Sequence, residues 1–203
     1  MSVMTSSPAR IARTIPMQIA EDLTHLLGYT PPIPLDLLAQ DLGTVVVEQH
    51  LGRQGLLGYS WMSETHERVI IINIDHSETV VRFTLAHELM HRVLHAQCST
   101  NPLTLHPRSV DLAEMEANAG AGALLMPERW LAPRIAAWNR VRRGNEEPWT
   151  TDTLQRWSTT AGPLWAREAA VSLTALGYRL IDLGVVSSEG ARSWRDASPR
   201  WGA

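Results

Sequence analysis

The segment that most constrains this chain is FTLAHELMHRVLH, residues 83–95. In an α-helix, residues four apart lie one turn above each other with an offset of about 40°, so His87 and His91 project from one face. Two imidazoles can therefore reach one metal ion. Glu88 falls on the adjoining flank, where a carboxylate can act on a water at the metal without binding the metal itself. The spacing therefore predicts a metal site on this helix.

The other positions of the segment are mostly apolar, which predicts a helix that is buried on nearly all sides. Two histidines and a glutamate in a buried helix need polar partners, and a metal ion would serve all three. The pattern alone leaves one alternative open, because histidines of a hydrophobic core can also be satisfied by hydrogen bonds within the protein. The decision between the two depends on the rest of the sequence.

Composition limits the class of protein. The chain has 203 residues, of which 44% are hydrophobic and 19% charged, as expected for a globular domain with a sizeable core. Its single cysteine, Cys98, excludes an internal disulfide and is typical of a reducing compartment. A net charge of −3 predicts no long-range attraction to nucleic acid or to an anionic membrane. No signal peptide or membrane span is predicted, so we expect a cytoplasmic protein.

The pattern of apolar residues predicts a mixed fold. Helical spacing predicts five helices, at residues 15–27, 35–42, 77–96, 110–125 and 127–141. Three β-rich segments, at residues 44–47, 55–61 and 69–74, predict a small twisted sheet beside the histidine helix. After a predicted linker at residues 144–148, three short helices at residues 153–159, 163–170 and 172–184 have the outline of a helix-turn-helix.

A catalytic zinc site takes three protein ligands and leaves a fourth position open. The helix that follows the motif carries Glu114 and Glu116, which lie about 200° apart on a helix, so only one of them can face the metal. Glu114 shares its face with Ala117, Asn118 and Ala121, small residues that would let this helix approach the histidine helix. The spacing favours Glu114 modestly and leaves Glu116 as an alternative.

Four segments in a fixed order resemble the ImmA/IrrE family of bacterial and phage metallopeptidases. They are FTLAHELMH at residues 83–91, EMEAN at 114–118 with ALLMP at 123–127, VS at 171–172, and RLIDLG at 179–184. Upstream, PLDLLAQDLG at residues 34–43 agrees as well. The resemblance extends from about residue 34 to residue 186. It is far more specific than the His-Glu-x-x-His pattern alone and strongly favours the metal site.

The resemblance implies an α+β fold with a zincin-like domain at residues 14–143, in which a small twisted sheet packs with the histidine helix and the following Glu-bearing helix. The pattern of residues itself predicts a helix-turn-helix-like appendage at residues 150–186, with tails at residues 1–13 and 187–203. Carried over by position, one Zn²⁺ would be held by His87, His91 and Glu114, and Glu88 would be the general base. The implied function is that of a zinc endopeptidase that cleaves a helix-turn-helix repressor of the Xre type and so relieves repression of a mobile element or stress regulon.

Two other functions stay open at this point. The same domain could bind the repressor without cleaving it, since the ligands and base would look the same. DNA binding by the helices after residue 150 is the other alternative. Arginines and acidic residues nearly balance there, so the sequence does not predict direct nucleic-acid binding. These residues are Arg156, Arg167, Arg179, Asp152, Glu168 and Asp182.

Four further expectations concern details. Gly120 and Met90 stand where the family usually has an aromatic residue and a glycine, which predicts looser packing and extra bulk beside the histidine helix. The strand at residues 69–74 is a candidate edge strand for binding substrate backbone. The tryptophans of the second half are expected to anchor the appendage. Candidates for a second electrophile are His95, His106, Tyr178 and Arg179.

Overall fold

The computed structural model describes residues 8–54, 56–62, 67–95, 107–141 and 148–198. These ranges hold three strands, β1 (Thr44–Gln49), β2 (Gly58–Met62) and β3 (Arg68–Asn73). The helices there are α1 (Pro8–Leu26), α2 (Leu35–Asp41), α3 (Glu78–Leu94), α4 (Pro107–Leu125), α5 (Glu128–Val141), α6 (Thr151–Thr159), α7 (Gly162–Ala169), α8 (Leu173–Asp182) and α9 (Ser188–Ala197). The fold is α+β and mostly helical, which confirms the expected class. No described helix is long and apolar enough to cross a membrane.

The three strands form one sheet in the order β1-β3-β2. β1 runs parallel to β3, and β2 runs antiparallel to it. Ile70 and Ile72 of β3 point into the core and are each 1% exposed. Binding of substrate backbone by residues 69–74 was expected only if this strand lay at an edge, and that condition is not met, because β3 is hydrogen-bonded on both sides. Its apolar character on both faces is what a central strand requires.

Helix α3 covers the inner face of this sheet, and Gly58 of β2 permits the contact. A Cβ atom added at Gly58 would lie 2.8 Å from Cγ2 of Thr84 and 3.0 Å from the Ile71 carbonyl oxygen. Any larger residue would push the strand away from the helix. The close approach places β2 one turn before His87 along α3.

Helices α3 and α4 pack through a large residue on one and a glycine on the other. Met90 is fully buried, and a Cβ added at Gly120 would lie 2.6 Å from its Cε atom and 3.1 Å from its Cγ atom. The methionine thus fills the space that the glycine leaves. The expectation of loose packing at Gly120 and excess bulk at Met90 was wrong, because each change compensates for the other.

The two ends of the described chain differ from the expected tails. Helix α1 begins at Pro8 rather than near residue 15, and proline suits a first helical position because its missing N–H has no partner to lose. Helix α9 occupies part of the segment expected to fray. Ser187 caps it by accepting a hydrogen bond from the Gly190 amide, and Ala191 is buried. Trp194 lies against Gly177 of α8, which has no side chain to obstruct the ring.

The helices after residue 148 share a hydrophobic core with the rest of the chain. Trp149 and Trp157 are 1% and 0% exposed, with ring centroids 5.9 Å apart. Trp138 of α5 lies 6.4 Å from Trp149, which supports the expected anchoring role of these rings. The predicted linker, residues 144–148, lies outside the described residues except for Pro148. How the chain divides into domains stays a prediction.

Arginine side chains join these later helices to the earlier ones. Arg82 of α3 donates to the carbonyl oxygens of Ile33, at 2.9 Å, and Ala170, at 3.2 Å. Arg179 of α8 is 2% exposed, and its Nε donates to the Met126 carbonyl oxygen. Its other donors reach α1, where they meet Sδ of Met17 and Oε1 of Glu21.

Candidate metal centre

Three side chains from α3 and α4 converge on one point. The Nε2 atoms of His87 and His91 lie 2.9 Å apart. The carboxylate of Glu114 spans them, with one oxygen 3.2 Å from Nε2 of His87 and the other 3.1 Å from Nε2 of His91. All three ligand atoms lie within 4.8 Å of one another. The structure thus brings together the three residues that the sequence predicted as ligands.

The donor set fits a cation. Two imidazole nitrogens that face each other at 2.9 Å cannot both carry a hydrogen, and a carboxylate lies beside them. A proton or a metal ion between them satisfies all three groups. Two imidazoles and a carboxylate form a ligand set used by catalytic zinc sites. The side chain of Glu114 is 51% exposed, whereas those of the two histidines are 14% and 18% exposed, so the cluster opens to solvent on the glutamate side.

The pKa shifts of His87 and Glu114 also indicate that this cluster favours a positive charge on the histidine. Burial lowers the pKa of His87, but the hydrogen bond and charge of Glu114 outweigh burial, and the pKa ends above its ordinary value. Hydrogen bonds from His87 and His91 hold the pKa of the Glu114 carboxyl far below its usual range. The carboxylate of Glu114 therefore favours an added positive charge on His87.

Glu88 follows His87 on α3 and is 8% exposed. Its carboxylate is not one of the three groups that converge, which is consistent with its predicted place on the adjoining flank of the helix. Its negative charge also contributes to the raised pKa of His87. The structure thus places a buried carboxylate directly after His87 on α3, and its role as general base stays a prediction.

The second glutamate of α4 points to a different histidine. Oε2 of Glu116 lies 3.5 Å from Nε2 of His95, whose ring centroid is 5.6 Å from that of His91. Burial and the nearby His91 lower the pKa of His95. Of the two glutamates that the sequence left open, Glu114 joins the cluster and Glu116 pairs one turn further along.

The structure excludes one of the four candidates for a second electrophile. The guanidinium of Arg179 is buried against Met126, Met17 and Glu21, so it is not free to meet a substrate. Nε2 of His95 lies 3.5 Å from Glu116 and has no hydrogen-bond partner among the described residues, so its role as a second electrophile stays a prediction. His106 lies outside the described residues. Tyr178 is half-buried on α8, and its role stays a prediction.

Asn118 contacts the site, although no role at the site was predicted for it. Its Oδ1 atom lies 3.0 Å from Nδ1 of His87, on the ring edge opposite the cluster. The available signal was its spacing, since Asn118 follows Glu114 by four residues and so lies on the same face of α4. Spacing alone could not show which residue of α3 it would meet.

A histidine pair on one helix, completed by a carboxylate from the next, defines an α+β protein with a candidate site for one metal ion. The family model of peptidase M78, described as the IrrE N-terminal-like domain, matches residues 39–180, and the chain belongs to this family. The resemblance noted in the sequence is thereby confirmed.

Solved structures give a more distant likeness. A Mycobacterium tuberculosis transcriptional regulator is similar in fold, with a TM-score of 0.52 and 16% sequence identity over 82% of this chain. This chain spans 55% of the length of that protein. No curated protein matches the chain in sequence. At this identity the likeness extends to the fold alone.

Proposed function

We propose that this chain is a zinc-dependent endopeptidase, with His87, His91 and Glu114 as metal ligands and Glu88 as general base. The observation that carries the proposal is the convergence of two imidazole nitrogens and a carboxylate at 2.9 to 3.2 Å, on two helices of a peptidase M78 domain. The exposed side of Glu114 supports a catalytic rather than a closed structural site, because a substrate needs an open approach.

Bound zinc would supply a Lewis acid that polarises a peptide carbonyl and acidifies water. Glu88 would take a proton from the attacking water and pass it to the amine as the C–N bond breaks. The flank of α3 on which Glu88 lies suits this role, since its carboxylate is next to the ligands without competing for the metal. Glu114 and the histidines would hold the cation, and their fixed helices would keep it on the solvent-exposed side of the cluster.

An outer strand gives the proposal a substrate-binding element. Substrate backbone would pair with β2 rather than with β3, which is central. β2 contacts α3 at Thr84, one turn before His87, so a peptide along its free edge would pass near the site. The side chains of Tyr59 and Trp61 are exposed, at 40% and 55%, and share the outer face of the sheet.

The proposed substrate is a helix-turn-helix repressor of the Xre type, whose cleavage would relieve repression of a mobile element or stress regulon. Membership of the M78 family and the fold shared with a transcriptional regulator support a role in transcription control. DNA binding by this chain itself is less well supported. None of the residues of α8, the helix that would read DNA, is exposed, and Arg179 is buried in an ion pair.

The test is a cleavage assay with the purified chain, Zn²⁺ and the helix-turn-helix protein encoded beside its gene, read by mass spectrometry of the fragments. We expect cleavage by the wild type and by Glu116→Gln, a matched control on α4. Glu88→Gln should bind zinc and cleave nothing. Relief of repression by Glu88→Gln in cells, at wild-type level, would contradict the peptidase proposal and support a binding antirepressor instead.

A further inference from the structure

We infer that Asn118 is a positioning residue of the metal centre, which fixes the ring of His87 so that Nε2 presents its lone pair to the cation. The inference rests on the proposed function and goes one step beyond it, since it concerns a residue that binds neither metal nor substrate. The contact that carries it joins Oδ1 of Asn118 to Nδ1 of His87 at 3.0 Å.

The two nitrogens of the His87 ring have different neighbours. Nδ1 meets the amide oxygen of Asn118, which can only accept a hydrogen bond. Nε2 faces the cluster, 2.9 Å from Nε2 of His91 and 3.2 Å from the Glu114 carboxylate. A neutral imidazole carries one hydrogen, so donation from Nδ1 to Asn118 leaves the Nε2 lone pair for a metal. Asn118 thus selects the tautomer that zinc requires.

The same helix face delivers the ligand and the orienting group. Glu114 and Asn118 are four residues apart on α4, just as His87 and His91 are on α3. Where the two helices pack together, Ala117 of α4 is fully buried, and Gly120 of α4 lets Met90 of α3 pack close. The two helices meet at a distance at which both contacts form together. A slip of one helix would remove both.

The side chain of Asn118 is exposed, so packing does not hold it in place. Its contact with the His87 ring is a hydrogen bond between Oδ1 of Asn118 and Nδ1 of His87. An amide also orients the ring without adding a negative charge next to Glu88 and Glu114. A carboxylate at this position would keep the orientation and make His87 a more basic ligand. A mutational test can therefore separate the two effects: Asn118→Ala removes the orienting hydrogen bond, whereas Asn118→Asp keeps it and adds a charge.

The test compares Zn²⁺ affinity, by competition with a chromogenic chelator, in the wild type, Asn118→Ala and Asn118→Asp. Asn118→Ala should weaken zinc binding about 10- to 100-fold, the usual effect of losing an orienting partner. Asn118→Asp should bind zinc at least as tightly as the wild type. Leu112→Ala, which truncates another exposed residue of α4, is the matched control and should bind normally.

A second measurement reads the tautomer in the metal-free protein. In ¹⁵N NMR spectra of the histidine rings, recorded at a pH at which the His87 ring is neutral, His87 should carry its hydrogen on Nδ1 in the wild type, and Asn118→Ala should shift it toward Nε2. The melting temperature of the metal-free Asn118→Ala chain should stay within about 2 °C of the wild type, because an exposed side chain contributes little to stability.

Unchanged zinc affinity in Asn118→Ala, with only a raised KM for substrate, would overturn the inference and make Asn118 a substrate contact. A wild-type His87 with its hydrogen on Nε2 would overturn it as well. A wild-type chain that binds no zinc would contradict the proposed function and, with it, this inference. Normal wild-type affinity together with normal Asn118→Ala affinity would contradict the inference alone.

Discussion

Two charged clusters join the helices of this protein, and they differ in how their charges are satisfied. In the first, Arg179 and Glu21 form a closed pair with side chains 2% and 17% exposed, and the guanidinium also bonds a backbone carbonyl. In the second, two histidine nitrogens face each other beside Glu114, which is 51% exposed. The first cluster is complete without a ligand. The second has two facing nitrogens that need a proton or a cation between them, so it could hold a metal ion.

The comparison is tested most strongly by breaking the closed pair. Arg179→Ala should lower the free energy of unfolding by about 3–5 kcal/mol, because it leaves a partly buried carboxylate without its partner. Chemical denaturation measures the loss. Zinc affinity of the chain that stays folded should be unchanged, since Arg179 takes no part in the metal cluster. Replacing both residues, with Arg179→Met and Glu21→Met, should cost less than Arg179→Ala alone.

Removing a carboxylate from the cluster of His87, His91 and Glu114 should mainly affect zinc affinity rather than stability. Glu114→Gln should weaken zinc binding by more than about 100-fold, beyond the usual range for an orienting residue, because it removes the anionic ligand. The metal-free protein should lose less stability than in Arg179→Ala, because Glu114 is half-exposed and solvent screens its interaction with the histidines. Glu116→Gln, which alters the pair with His95, is the control for a lost acidic group on α4. Equal loss of zinc affinity in both variants would show that general charge, and not ligation, holds the ion.

The contact between Met90 and Gly120 sets the spacing of the two helices that bear the site. Gly120→Ala should destabilise the protein by about 1–2 kcal/mol. The added methyl would clash with Met90, and the cost of this clash should exceed the gain in helix propensity from glycine to alanine. The same change in a Met90→Ala background should cost less, which a double-mutant cycle measures. Additive effects would indicate that the two side chains do not share this space.

The smallest expected effect is a dependence on pH. His87 has a raised pKa, so its contribution to the stability of the metal-free chain is present below the unfolded value of 6.5 and lost as pH rises through the folded value. Glu114 has a lowered pKa, so its contribution is present above 4.5 and lost as pH falls through its folded value. Zinc must displace the proton of His87. The rise in melting temperature on adding zinc should therefore grow as pH rises through the folded pKa of His87.

This pH dependence can be checked by scanning calorimetry between pH 5.5 and 8.5, with and without Zn²⁺. Glu114→Gln should flatten the profile of the metal-free protein, because the carboxylate raises the pKa of His87. A zinc effect that is independent of pH in the wild type would mean that His87 carries no proton to be displaced.

The local features of the site could be predicted from the sequence. His87 and His91 meet because residues four apart share a helix face, and the same spacing favoured Glu114 over Glu116. The order of the strands could not be predicted, since it depends on contacts between distant segments. β3 is therefore central although its sequence also suited an edge.

Features that depend on two helices at once were also missed. Trp194 needs the bare surface of Gly177, and this cross-helix fit is what lets α9 pack rather than fray. Asn118 gains its role only because α4 meets α3 in one register. Met90 and Gly120 each looked unfavourable alone and are complementary together.

The most direct test of the account is a crystal structure of the zinc-soaked protein, with anomalous scattering measured on both sides of the zinc absorption edge. The account predicts one peak per chain, bonded to Nε2 of His87, Nε2 of His91 and the carboxylate of Glu114. A peak between His95 and Glu116 instead, or no peak at the first position, would contradict it.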